Sequence, residues 1–302
     1  VPAAGPEYAR DAAFGYTSSN LRAWVSEKHG GEIAPGDVAT ITLSNLRLGG
    51  PEAIARQLDG VRGGQVCIVN AATYRDLEVF VAGLLAAEAA GQHFLYRTAA
   101  SFVRVRAGLP PRALLAAADL PLHGTGRGGL VVVGSYIQKS TQQAEAAAAL
   151  PGVRSVELRV DRLLAPAGRA SEVQRVAAHV DRAISDGQDA LVYTSRQLVT
   201  DADREKSLQI GQAVSSALVD VVRALSTRPA WVIAKGGITS SDVATRGLGV
   251  TRALVLGQAL PGVPIWYTGG ESRWPDLVYV VFPGNVGGPD ALARMIQILR
   301  QG

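Results

Sequence analysis

The segment Lys235–Gly237 combines the residue types best suited to bind an anion. An apolar run over residues 230–234 predicts a buried strand that ends at this segment, and a helix should begin at once. Thr239 is expected to cap that helix, with Asp242 completing a capping box. The turn would then offer a phosphate group free backbone N–H groups, a helix dipole and the Lys235 ammonium. A plain capped helix explains Thr239 and Asp242, but not a lysine beside two glycines.

Two further turns follow predicted strands in the same half of the chain. Gly134 and Ser135 follow the apolar run 130–133, and Pro283-Gly284-Asn285 follows the run 278–282. Ligands bind open α/β sheets at the carboxyl ends of their strands, so the three turns together predict one binding site. Taken alone, the Ser135 segment is equally typical of an ordinary strand-to-helix turn. No turn matches the Walker P-loop G-x-x-x-x-G-K-[ST], so ATP would be bound by another route.

Residues 124–129 match the G-x-G-x-x-G pattern of dinucleotide sites, but in the wrong place. That fingerprint follows a strand and opens a helix, whereas these glycines precede the strand at 130–133. The order favours a flexible connector. An NAD(P)-dependent dehydrogenase stays an alternative that binding of a nicotinamide cofactor would support.

The first third of the chain holds hydroxyl, amide and guanidinium groups that suit a hydroxylated acid. Ser19 and Asn20 lie in one cluster, and Arg97 and Ser101 lie in another. Arginine binds a carboxylate with two hydrogen bonds, and the other side chains suit sugar hydroxyls. Helix N-caps are the competing interpretation for several of these residues.

Metal ligands and catalytic groups leave a weaker signal. The four histidines, His29, His93, His123 and His179, have no ligand spacing, so we expect no dedicated metal site. Any metal should be Mg²⁺ held mainly by nucleotide phosphates. No Ser-His-Asp or paired-carboxylate arrangement stands out, and no catalytic base is assigned.

Short apolar runs alternate with stretches of helical period along the whole chain. The predicted strands cover residues 38–43, 66–69, 130–133, 153–158, 190–193, 230–234, 253–256 and 278–282. They are rich in Val, Ile and Leu with little alternation, which is typical of strands covered on both faces. We therefore predict an α/β protein with two domains, each a mostly parallel sheet flanked by helices, and a ligand crevice between them. Residues 1–115 form the first domain, 116–129 the linker and 130–302 the second.

Composition excludes several other classes of protein. Hydrophobic residues make up 47% and charged residues 19% of the chain, which is globular composition. The charge of +4 comes from scattered basic residues, which favours small anions over nucleic acid. No apolar stretch reaches membrane-spanning length, and the first residues have no signal pattern. We expect a cytoplasmic protein with Cys67 as a buried, inert thiol, and the oligomeric state stays open, a homo-oligomer included.

Several segments resemble the four-carbon acid sugar kinases, in the family's order along nearly the whole chain. They are residues 96–102, 131–136 with the continuation Lys-Ser-Thr, 234–244, 257–258, 261–266 and 282–287. The resemblance implies a sugar-acid domain followed by a nucleotide domain, with ATP phosphorylating threonate, erythronate or a 3-oxo-tetronate. It places ATP contacts at Ser135, Gly236, Gly237, Ile238, Thr239, Ser240 and Gly284, and Lys235 and Asn285 lie beside them.

One departure from the family pattern concerns the start of the chain. Members of the family open with an Asp-Asp-x-Thr-Gly-Ala segment that supplies acidic residues to the substrate site, and this sequence does not contain it. We therefore expect the chain to begin inside the substrate domain. A non-catalytic nucleotide-binding protein derived from the family is the alternative to a kinase.

Overall fold

The computed structural model describes residues 2–10, 15–122, 127–134, 137–165, 167–195 and 204–302. The chain forms two compact units, Val1–Pro111 and Arg112–Gly302. The first unit contains α1 (Leu21–Lys28), β1 (Ala39–Ile41), α2 (Leu43–Asp59), β2 (Cys67–Val69), α3 (Tyr74–Ala89) and α4 (Ala100–Arg106). The second contains β3 (Leu130–Val133), α5 (Gln138–Ala148), β4 (Val153–Leu158), α6 (Val160–Leu164), α7 (Gly168–Ser185), β5 (Asp189–Thr194), α8 (Arg204–Ala224), β6 (Trp231–Lys235), α9 (Gly237–Asp242), β7 (Ala253–Leu260), β8 (Val263–Thr268), β9 (Val278–Phe282) and α10 (Ala291–Arg300).

The first unit is built around a short parallel pair, β1 and β2. Helices α2 and α3 begin with capping boxes at Thr42 and Thr73, which satisfy amides that a helix cannot pair internally. Their apolar faces meet in a small core that includes Ile54, Leu84 and Phe102. Cys67 is half-buried in β2, and its burial raises the pKa of the thiol.

The second unit is a seven-stranded sheet in the order β4-β5-β3-β6-β9-β8-β7. The first five strands in that order are parallel, and β8 and β7 continue the sheet antiparallel. Most residues of β3 and β6 are fully buried, because helices cover both faces. Full burial of one aliphatic side chain contributes about 1.5–3 kcal/mol, so these central strands anchor the unit.

The two faces of this sheet carry different helices. Helices α7 and α8 pack on one face with Val132 and Ala234. Helices α5 and α10 pack on the other with Val133 and Phe282. Helices thus flank mostly parallel sheets in both units, which confirms the predicted α/β class.

The strand β8 is absent from the predicted set, although its neighbours are present. The structure places Val263–Thr268 between β7 and β9 as an antiparallel strand. Pro264 cannot donate to a ladder, which weakened the strand pattern. It is tolerated here because pairing with β9 covers only residues 265–267.

Candidate functional site

Three parallel strands end side by side in the second unit. β6 lies between β3 and β9, and Val133, Lys235 and Phe282 stand in one row of the register. The ladder continues one step further, since the Gly134 amide donates to the Lys235 carbonyl at 3.2 Å. The Gly236 amide donates to the Phe282 carbonyl at 2.8 Å. The turns that follow the three strands therefore begin at the same level of the sheet.

The turn after β6 leads directly into α9 through Gly236. This residue has φ 112° and ψ 141°, a conformation that residues with a Cβ rarely adopt. The first intrahelical bond runs from the Ser240 amide to the Gly236 carbonyl at 2.8 Å. Within the described ranges the amides of Gly237, Ile238 and Thr239 have no acceptor, and no side chain caps them. Three N–H groups at a helix start can bind an anion.

The expected capping box is wrong. Because Gly236 brings the chain into the helix early, Thr239 lies inside α9 and does not cap it. The Asp242 carboxylate instead accepts a hydrogen bond from the Ser215 hydroxyl at 2.7 Å. The amides that Thr239 was expected to occupy are thereby left for another acceptor.

The hydroxyl groups of Thr239 and Ser240 in α9 face the protein interior. Thr239 is 7% exposed, and Ser240 is 1% exposed and donates to the Ala234 carbonyl at 2.6 Å. The Ser240 carbonyl accepts a hydrogen bond from the Tyr279 hydroxyl at 2.7 Å, which fixes α9 to the sheet. Ile238 differs, because its side chain is 74% exposed at the tip of the turn. The predicted contacts of these residues with a nucleotide stay predictions.

Lys235 is fully buried at the end of β6. Its ammonium lies 4.5 Å from the centre of the Phe282 ring and donates to the carbonyls of Pro283 at 3.1 Å and Gly284 at 3.3 Å. Burial, together with the nearby charge of Lys139, lowers the pKa of Lys235 to about 8. The side chain thus supports the turn after β9, and its direct contact with a phosphate stays a prediction.

The turn after β9, which we call the Pro283–Gly288 turn, is held by side chains of α5. Lys139 donates to the Asn285 carbonyl at 3.2 Å, and Ser140 donates to the Gly284 carbonyl at 3.2 Å. Gln143 donates to two carbonyls further along the turn, those of Val286 at 2.9 Å and Gly288 at 2.7 Å. Gln143 was missed from the sequence. Its only signal is a polar pair with Ser140, three residues apart on an Ala-rich helix.

Two sets of predicted residues lie outside the described part of the chain. Ser135 directly follows the described Gly134, and residues 123–126 include the first part of the G-x-G-x-x-G stretch. The nucleotide contact expected at Ser135 and the dinucleotide alternative therefore stay predictions.

In the first unit the cap interpretation holds for Asn20. Its side-chain oxygen accepts from the amides of Arg22 at 3.0 Å and Ala23 at 3.4 Å at the start of α1. The Ser19 hydroxyl accepts from the Ala4 amide at 2.9 Å. A cap can still present its remaining polar atoms to a ligand, so the substrate role of both residues stays a prediction.

Arg97 lies in the segment before α4, and Ser101 lies inside α4. The Arg97 guanidinium lies over the ring of Trp24, 5.5 Å from its centre, and Trp24 lies one turn beyond Asn20 on α1. The structure thereby places the Arg97 guanidinium against α1, the helix that Asn20 caps. Ser101 lies in the first turn of α4. The exposed Arg97 guanidinium suits a carboxylate, and the substrate roles of Arg97 and Ser101 stay predictions.

Neither a metal cluster nor a membrane-crossing helix occurs in the described part of the chain. No three His, Cys, Asp or Glu side chains come together there in a way that holds a metal ion. No helix there has the length and apolar character to cross a bilayer.

Comparison with models of known protein families shows which family the chain belongs to. The profile of a nucleotide-binding C-terminal domain matches residues 130–292, more than half of the chain. The profile of a sugar-binding N-terminal domain matches residues 1–106. The chain belongs to the four-carbon acid sugar kinase family. Its second unit is thus the nucleotide-binding domain of this family, and its first unit carries the sugar-binding match.

One solved structure shows a similar fold at low identity. A protein of Salmonella typhimurium LT2, described as a "putative tRNA synthase", matches with a TM-score of 0.60 and 18% identity over 97% of this chain. The chain spans 66% of that protein, just under two thirds of its length. A DUF1537 protein of Bordetella bronchiseptica, crystallised as a domain-swapped dimer with citrate, matches at 20% identity over 98% of this chain and 64% of its own, with a TM-score of 0.48. No curated protein matches the chain.

Proposed function

We propose that this member of the four-carbon acid sugar kinase family is an ATP-dependent kinase that phosphorylates threonate, erythronate or a 3-oxo-tetronate. One observation carries the proposal: the turns after β3, β6 and β9 begin in one row, and the middle turn opens a helix with three amides that have no acceptor among the described residues. Phosphate groups bind such amides because the partial positive charge at a helix start favours anions.

The residues of the middle turn fit a nucleotide phosphate. A Cβ placed on Gly237 would meet no atom of the described residues within 4 Å, so these residues leave the backbone open to close approach. The amides of Gly237, Ile238 and Thr239 would bind phosphate oxygens, with further contacts from Ser135, Gly284 and Asn285. Mg²⁺ bound to the phosphates would neutralise part of their charge.

The sugar acid belongs with the first unit, which carries the sugar-binding match. The exposed Arg97 guanidinium would bind the carboxylate, and Ser19, Asn20 and Ser101 would bind hydroxyl groups. Transfer of the γ-phosphoryl group to a terminal hydroxyl needs orientation of the acceptor and stabilisation of charge on the phosphoryl oxygens. The glycine-turn amides supply that stabilisation, because they are fixed before the reaction begins.

A kinase assay over the three acids tests the proposal. ADP release and the phosphorylated acid are both measured, with tartrate as the control because it is a four-carbon acid without a terminal hydroxymethyl group. Turnover with one of the three acids and none with tartrate is expected. ATP binding without turnover on any acid would favour the non-catalytic alternative, and binding of NAD or NADP instead of ATP would favour the dehydrogenase.

A further inference from the structure

The Pro283–Gly288 turn has an unusual distribution of hydrogen bonds. Side chains bind the carbonyls of five of its residues, Pro283, Gly284, Asn285, Val286 and Gly288. Three of the donors, Lys139, Ser140 and Gln143, lie on α5, and the fourth is Lys235. Such a run of side-chain bonds to the carbonyls of one turn fixes the orientation of its peptide planes.

All four donors lie on the same side of the sheet. Val133 and Phe282, the row neighbours of Lys235, belong to the core formed with α5 and α10. Residues in one row of a parallel sheet point to the same face, so the Lys235 side chain also lies on the α5 side. Its contact with the Phe282 ring agrees with this placement. The carbonyls of the turn are therefore drawn toward α5.

The amides of the turn must then point the other way. In a planar trans peptide the carbonyl and the next N–H group have opposite directions. Carbonyls of residues 283–286 that point toward α5 leave the N–H groups of residues 284–287 pointing away from it. None of these four amides has an acceptor in the ranges that the structure describes. A row of such N–H groups is a concavity for an anion.

The arrangement of Gln143 lowers the stability of the folded chain, because one of its buried polar atoms is unpaired among the described residues. Its side chain is fully buried, and its Nε2 group serves both the Val286 and Gly288 carbonyls, while the Oε1 atom has no partner among the described residues. A buried acceptor without a donor is destabilising. A leucine of similar size would avoid that cost but would release both carbonyls.

We propose that Gln143, assisted by Ser140 and Lys235, is a positioning residue that turns the amides of residues 284–287 toward the nucleotide phosphates. The inference rests on the proposed nucleotide site and adds the side chains that orient its third turn. Gln143 acts through the backbone and does not itself touch the nucleotide.

The test uses the full chain with Gln143→Leu and, as the matched control, Gln142→Leu on the exposed side of the same helix. Calorimetry measures the affinity for ATP, for inorganic tripolyphosphate and for adenosine, and thermal unfolding monitors the fold. Loss of an oriented hydrogen-bonding turn should weaken ATP and tripolyphosphate binding on the order of tenfold in Q143L. Adenosine binding should not change in Q143L, and all three affinities should be retained in Q142L.

A second variant, Ser140→Ala, removes one donor from the Gly284 carbonyl and should show a smaller loss with the same selectivity for phosphate. It carries the test if Q143L does not fold. Full ATP affinity in both variants would overturn the positioning role while leaving the nucleotide site intact. An equal loss for all three ligands would also overturn it, since that reports general loosening. A wild-type chain that binds neither ATP nor tripolyphosphate would refute the proposed function itself, and the positioning role with it.

Discussion

The Thr239 side chain lies directly against the backbone of Gly134. A Cβ built on Gly134 would come within 2.0 Å of the Thr239 hydroxyl oxygen and 3.0 Å of Leu218. The end of β3 and the first turn of α9 can therefore approach this closely only with glycine at position 134. The contact couples two of the three turns of the candidate site.

Gly134→Ala should force α9 away from β3. Overpacking of this kind costs about 1–3 kcal/mol, which urea denaturation of the second unit would measure. The double variant with Thr239→Ala should recover part of the loss, because the hydroxyl in the tightest contact is removed. Wild-type stability in Gly134→Ala would contradict the close approach.

Gly237→Val should weaken ATP binding by tenfold or more without unfolding the protein. No described residue lies within 4 Å of a Cβ on Gly237, and Gly237 does not have a positive φ. The fold should therefore tolerate the new side chain, which would occupy the space in front of the amides. Calorimetry with ATP measures the effect. Gly270→Val is the matched control, since Gly270 is also exposed and open. Equal ATP affinity in the two variants would remove this turn from the site.

The lowered pKa of Lys235 predicts that the free energy of unfolding increases with pH in the alkaline range. Burial lowers the pKa in the folded state to about 8, below its ordinary value of 10.5. Between these two values the unfolded chain binds the proton that the folded chain has released, so the free energy of unfolding increases with pH. Below pH 8 the cost of the buried charge is fully present.

Denaturation of the wild type and of Lys235→Met from pH 7 to 10.5 measures this contribution as the difference in slope. The variant should lack the rising part of the profile, whereas Lys28→Met, at an exposed lysine of α1, should keep it. Parallel profiles for the wild type and Lys235→Met would show that the ammonium is not desolvated.

Arg97→Met should raise the KM for the sugar acid about tenfold or more while the KM for ATP stays unchanged. A lost charged hydrogen bond to a carboxylate accounts for an effect of this size. Arg104→Met is the control, because Arg104 also lies over an aromatic ring, that of Tyr74 at 4.2 Å. Steady-state kinetics with the acid found in the kinase assay gives both constants. Similar changes in the two variants would argue against a substrate role for Arg97.

The lowered pKa of Asp76 predicts that the first unit loses stability in acid. Its carboxylate accepts two hydrogen bonds from Arg47, at 2.8 and 3.0 Å, and completes the capping box with Thr73. The Arg47 guanidinium holds the pKa of Asp76 well below its usual range. The stabilisation is therefore present above the ordinary pKa of the group and is lost as the pH falls through the lowered value.

Asp76→Asn should lower the melting temperature at neutral pH and flatten its decline in acid. Hydrogen exchange of α3 peptides, combined with thermal unfolding at several pH values, measures both effects. Glu52→Gln, at an exposed position of α2, should behave as the wild type. An unchanged acid profile in Asp76→Asn would show that the Arg47 pair does not stabilise the unit.

Periodicity predicted the central strands well because burial on both faces leaves an uninterrupted apolar run. β3, β4 and β9 have the predicted bounds. β8 was missed because Pro264 breaks the pattern, and only the hairpin with β7 makes it a strand. A pattern that depends on tertiary pairing leaves little local signal.

The turns were predicted as a group, but the contacts within them were not. Spacing alone could place glycines after three strands, yet the early start of α9 depends on the φ of Gly236. The role of Gln143 depends on packing between α5 and a turn more than 140 residues away. Such long-range contacts between buried polar groups have no counterpart in local periodicity.

The register of Val133, Lys235 and Phe282 means that the sheet sets the spacing of the three turns in the candidate site. Neighbouring strands are spaced about 4.8 Å apart, so the separation of the three turns is set by the hydrogen-bonded ladder and not by loop length. A shift of β6 by a single residue would reverse which face each of its side chains meets. Lys235 would then no longer donate to the carbonyls of the Pro283–Gly288 turn. The start of α9 would also be shifted by one residue relative to the ends of β3 and β9. A one-residue insertion within this strand should therefore be far more damaging than one in the loops.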